Sequence, residues 1–167
     1  MAYNVYAKFE GIDGQSTDAD HKNWVDVFEF NHGCIQQHDT SGTKQSIIYG
    51  GTGRCVPFEI VIHFDKSAPK LNEACVKGLT IPKIELHVCQ LIGGKQQEVM
   101  SIIVENARIT HSVTELSKSG SDNKVDGATV MLHHTKVIHT KATWKVTEYK
   151  NNGTKGGVLS ATHDPSK

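Results

Sequence analysis

Ten histidines and four cysteines are the residues of this 167-residue chain best suited to chemistry. Metal sites need such donors at fixed spacings, and the spacings here do not supply them. His133, His134 and His139 lie close together, but alternation along a strand puts His133 and His139 on one face and His134 on the other. No H-x-H or H-E-x-x-H occurs, and no helical pair at i, i+4. His63 and His87 fall on the polar faces of alternating segments. The pattern therefore predicts solvated or interface histidines and no metal or other cofactor. Cys34, Cys55, Cys75 and Cys89 include no C-x-x-C pair, which excludes zinc-ribbon and thioredoxin-like readings and predicts buried free thiols. Asp13, Asp18 and Asp20 beside His21 miss the spacing of a calcium loop. They fit a turn in which Asp side chains accept backbone N–H groups. Neither a G-x-S-x-G elbow nor a phosphate loop is present, since no lysine follows Gly50-Gly51-Thr52-Gly53 in the required place. The chain carries no positive sign of catalysis.

The elements that must position these side chains have a period of two. Tyr3–Phe9, Trp24–Phe30, Phe58–Phe64, Lys83–Cys89, Val99–Ile109, Ala128–Val137 and Ala142–Tyr149 alternate or are rich in β-branched residues. Strands at this spacing predict a mainly β chain, a two-sheet barrel or sandwich. One helix interrupts them over about 67–77. Ser67 is placed to cap it, Pro69 suits its first turn, and Leu71, Ala74 and Cys75 make one apolar stripe. Lys77 suits the negative end, and Gly78 supplies a left-handed stop. Loops are expected at 11–22, at 117–127 and over a long extended stretch, 38–54. The last contains an apolar triplet, Ile47-Ile48-Tyr49, that either folds back or meets another chain.

The length fits a single domain, 1–167. Lys plus Arg and Asp plus Glu are each 18, so no basic field draws in nucleic acid. The 11 aromatic residues sit within strands and are not interleaved with basic ones, which also argues against a nucleic-acid platform. No apolar run is long enough for a membrane-spanning helix, and the first residues lack the pattern of a Sec signal peptide.

Three segments carry a resemblance. Gly14-Gln-Ser-Thr-Asp18-Ala-Asp20-His21-Lys-Asn-Trp24-Val25-Asp26-Val27 resembles the G-E-S-x-D-x-x-H-x-x-W-I-x-V segment of haemolysin-coregulated (Hcp) proteins of bacterial type VI secretion systems. Asp65-Lys-Ser67-Ala-Pro69-Lys-Leu71-Asn-Glu-Ala74-Cys75-Val-Lys-Gly78 is similar to that family's helix, and Ile109-Thr-His-Ser112-Val113 to its V-x-S-[ST]-V strand end. The order matches as well. The chain departs at Gln15, at Phe30-Asn31-His32-Gly33 and after Tyr149, where no aromatic marks a last strand.

The resemblance implies a two-sheet barrel with one helix and a non-catalytic tube subunit. It implies hexameric rings that stack, carry small effectors in the channel, and meet the sheath and spike-tip proteins. It places assembly in the bacterial cytoplasm, followed by secretion through the same machine, with neither nucleic acid nor membrane insertion involved. Ile47, Ile48 and Tyr49 match the loop that reaches a neighbouring subunit or ring. Asn31 and His32 match a channel-facing region. Two other classes compete: a small β-barrel metal protein or enzyme using His133 or His139, and a monomeric binding module for sugar or peptide.

Overall fold

The computed structural model describes residues 2–36, 53–118 and 129–166. Its elements in chain order are β1 (Tyr3–Phe9), β2 (Val25–Asn31), β3 (Cys34–Ile35), β4 (Arg54–Cys55), β5 (Phe58–His63), α1 (Ala68–Lys77), β6 (Thr80–Ile92), β7 (Lys95–Lys118), β8 (Thr129–Ile138), β9 (Lys141–Tyr149) and β10 (Lys155–His163). The period-two segments became strands where apolar residues alternate inward. In β5, Phe58, Ile60 and Ile62 are fully buried, while Glu59, Val61 and His63 between them are not. Each such side chain contributes about 1.5–3 kcal/mol on burial.

β7, β6, β1, β2, β5 and β8 pair in that order, all antiparallel, and β8 returns to β7 to close a barrel. Closure leaves these six strands without a free edge over the paired stretch. β9 and β10 lie outside the ring, and β3 with β4 forms a separate two-stranded sheet.

The least expected feature is how β7 serves both parts. It runs for 24 residues as one strand. Its second half pairs with β8, from Arg108↔Ile138 to Lys118↔Thr129, and its first half pairs with β9, from Glu105↔Lys141 to Met100↔Val146. β8 and β9 are thus successive parts of one long run opposite β7, interrupted only at His139-Thr140. Beyond that interruption the partners diverge, β8 turning to β5 and β9 to β10. The Thr140 N–H donates to the Glu105 carbonyl at 3.2 Å, and Asn106 takes a left-handed φ of 52° at the same level. The sheet forks there.

α1 packs on β7. Leu71 and Ala74 are buried, as their stripe predicts, and Gly78 stops the helix at φ 61° with its N–H on the Cys75 carbonyl. The expected Ser67 side-chain cap is absent. Asp65 is better placed: its carboxylate accepts both the Ser67 N–H and the Ser67 hydroxyl, which ties up that hydroxyl before the first turn. The last strand, whose limits the sequence leaves open, runs over Lys155–His163 and pairs with β9 through a bulge.

Candidate assembly surfaces and histidine clusters

Large apolar side chains remain exposed in three rows. Tyr3 and Phe28 flank a shallow groove at the β1–β2 surface, with the Phe28 ring edge-on to His63 at 5.6 Å. On β7–β8, Leu116 and Met131 sit opposite each other on one face, and Val113 stands on the other. On β9–β10, Val146 and Leu159 sit opposite each other on one face, and Val158 stands on the other. Among the described residues, β10 bonds to β9 along one edge only. An exposed apolar strand with an open edge is a template for another chain unless something covers it.

The histidines depart from the solvated expectation, because several are buried or half-buried in three networks. In the first, Asp18 Oδ1 accepts the N–H groups of Asp20 and His21, the expected turn, and also meets His21 Nδ1 at 2.8 Å. That last bond lowers the Asp18 pKa. His21 stacks on Tyr6, meets Trp24 edge-on and places Nε2 3.1 Å from Nδ1 of His87. Burial keeps His87 below the ordinary imidazole range and raises the Tyr6 phenol to about 12. The Gly14, Ser16 and His21 positions of the first motif therefore build a rigid loop. Gly14 donates to the Asn23 carbonyl and Ser16 to the Trp24 carbonyl.

In the second network the fully buried His133 lies between Ser112 (2.9 Å) and Thr114 (3.0 Å). Ser112 donates its hydroxyl proton to Asn72 of α1, so it accepts from His133 Nε2–H. His133 is then a donor to Ser112 and has no lone pair with which to activate it. Its lone pair is on Nδ1, which accepts the Thr114 hydroxyl proton, and the arrangement joins α1, β7 and β8.

The third network lies at the fork. Trp144 of β9 donates its indole N–H to His32 Nδ1 at 3.1 Å, and His32 Nε2 meets His139 Nε2 at 2.9 Å. Because His32 accepts on Nδ1, its own proton sits on Nε2 and is donated to His139. The proton of His139 is then on Nδ1, which is buried and has no partner among the described residues. An unpaired buried donor costs about 1–3 kcal/mol. Burial, with His139 beside it, pushes the His32 pKa down to about 4. Burial also raises the Cys55 thiol to about 12, with Cys34 adding to the shift.

The cysteines differ from the buried expectation. Cys89 alone is buried, Cys55 and Cys75 are half-buried, and Cys34 is exposed. Both residues of β3 are exposed, which sequence periodicity over two residues does not reveal. Of the anticipated contact residues, Asn31 is exposed at the end of β2 and pairs with Glu59. His32 is half-buried with its ring in the third network. Ile47, Ile48 and Tyr49 lie outside the described residues. The networks link residues as far apart as 66, 107 and 112 positions, so no local spacing signalled them.

Residues 6–146 match the family "Type VI secretion system effector, Hcp". The chain belongs to the Hcp family. It is thereby a tube or effector protein of a type VI secretion system, in a family of structural secretion components. Solved structures share the fold. "Structure of a type six secretion system protein" superposes with a TM-score of 0.81 at 23% identity, over 95% of this chain and 92% of that one. Hcp1 from Salmonella typhimurium gives 0.74 at 20%, over 98% and 95%. Hcp3 from Pseudomonas aeruginosa, titled a secreted protein, gives 0.67 at 20%, over 98% of each chain. No curated protein matches this chain. No helix among the described residues is long and apolar enough to cross a membrane.

Proposed function

We propose that this Hcp-family chain forms six-membered rings that stack into the inner tube of a type VI secretion system. The tube carries small effectors in its channel and is expelled by the same machine, from the bacterial cytoplasm to the outside or into a target cell. Its partners are copies of itself, the surrounding sheath, the spike tip and its cargo. The observation that carries this reading is the family match over residues 6–146, joined to exposed apolar rows on an otherwise closed barrel. A ring of identical subunits needs two different complementary faces on each, and stacked rings need a third contact. The rows on β1–β2, on β7–β8 and on β9–β10 supply distinct faces.

Asn31 marks the channel side at the end of β2. His32 beside it contributes its backbone there, since its ring is held by Trp144 and His139. Ile47, Ile48 and Tyr49 make the contact between rings. Negative-stain electron microscopy of the purified chain tests the reading. Annular particles with a central hole are the expected result, and a field of isolated small globules at high concentration contradicts it.

A further inference from the structure

The barrel end at the fork gathers donor atoms that tube assembly does not use. His32 follows β2, Cys55 closes β4, and His139 sits in the link between β8 and β9. One donor atom from each lies within 4.8 Å of the others. Cys34 faces Cys55 across the small sheet and brings a second sulfur, 3.1 Å from the first. A cleft of about 450 Å³ opens beside Cys55 and His139.

Two sulfurs and two imidazoles form the donor set of a tetrahedral zinc site. With metal–sulfur bonds near 2.3 Å and metal–nitrogen bonds near 2.0–2.1 Å, a tetrahedron places its donors about 3.3–3.8 Å apart. The nitrogens of His32 and His139 are 2.9 Å apart and the two sulfurs 3.1 Å apart, so the nitrogen pair needs to open by about 0.4 Å and the sulfur pair by about 0.7 Å. His139 already directs the lone pair of Nε2 into the cluster, because that atom accepts from His32.

We propose that His32, Cys34, Cys55 and His139 hold a divalent cation of borderline softness, of which zinc is the type. On binding, the two thiols release their protons to solvent, and the two thiolates balance the charge of the cation. The cation ties β3 and β4 to the barrel end. Binding also has a specific obstacle. A His32 ring bound through Nε2 carries its proton on Nδ1, where the Trp144 indole N–H now points. Metal-bound imidazoles place that second nitrogen against an acceptor, and here it faces a donor. The cation therefore displaces the Trp144–His32 bond, and removing the indole N–H favours the bound state.

The test uses the whole chain, reduced with a phosphine, stripped with a chelator and titrated with Co²⁺ as a spectroscopic probe. The expected result is one cobalt per chain, with thiolate-to-cobalt absorption in the near ultraviolet and a tetrahedral visible band that Zn²⁺ abolishes. Tryptophan emission should change in step. Cys55→Ser and His139→Ala should lose the bands, Cys75→Ser should keep them, and Trp144→Phe should bind about tenfold more tightly. Should Cys55→Ser fail to give a folded far-ultraviolet spectrum, Cys34→Ala at the exposed position carries the same expectation of reduced thiolate absorption. Absence of these bands in the folded, reduced wild type overturns the proposal. So does thiolate absorption that is undiminished in Cys34→Ala, or recovery of the chain from a reducing cytoplasm with Cys34 and Cys55 already joined as a disulfide.

Discussion

Gly14 shows how a single residue of the first motif sets local structure. A methyl group there would run into the carbonyl of Trp24 and come within 2.7 Å of a Val25 methyl, and neither backbone nor buried side chain yields cheaply. Gly14→Ala is expected to destabilise the chain by about 1–3 kcal/mol, the range for overpacking, read from urea unfolding midpoints. His133 governs a different response. Burial holds its pKa below the ordinary 6.5, His134 pushes it the same way, and Asp65 opposes them. The unfolded chain therefore takes up a proton at a pH where the folded chain does not. That contribution to stability is complete above about pH 6.5 and is lost as the pH falls toward the folded value. Unfolding midpoints measured between about pH 7.5 and 5.5 should fall in the wild type and fall less in His133→Gln. An equal fall in both proteins would remove His133 as a source of the acid sensitivity.

Among the elements, β10 makes the sharpest prediction. Among the described residues it pairs on one edge only, and Val158 and Leu159 are 51% and 65% exposed. Lysine at both positions should leave the unfolding midpoint within about 0.5 kcal/mol of wild type, because exposed sites tolerate change. It should disrupt the assembly, because charge on an open strand edge blocks pairing and apolar packing. Unchanged particle size in the double variant would move the interface elsewhere. The strands were legible because Phe58, Ile60 and Ile62, or Ile84, Leu86 and Val88, alternate so plainly. The fork was not. β8 and β9 read as two ordinary strands, and only their registers, Arg108↔Ile138 and Glu105↔Lys141, reveal that they share β7. Register is a long-range property with no local marker when several strands carry similar apolar faces. The helix boundary was legible from Pro69 and Gly78, while the Asp65–Ser67 bonds replaced the expected cap. The histidine networks escaped notice for the same reason as the fork, since each joins side chains from separate strands.

At the scale of the whole molecule, the inward face of the six-strand barrel accounts for folding, and the proposed association draws on exposed side chains of the barrel strands and of β9 and β10. The ring of strands buries its apolar set completely around Phe9, Phe58, Ile60, Ile84 and Leu86. The exposed rows on β7, β8, β9 and β10 add nothing to that core, and apolar surface of this kind is stabilised by burial against other chains. Balanced charge, 18 of each sign, removes net repulsion between identical subunits. Serine at Ile47, Ile48 and Tyr49 together should then leave the monomer folded and weaken ring stacking or ring formation, read from particle size. The most direct test of the account is the mass of the reduced chain in solution, by size exclusion with light scattering at several concentrations. A particle of about six 18.3-kDa chains is the predicted result. A species that stays at 18.3 kDa at the highest concentration would contradict it.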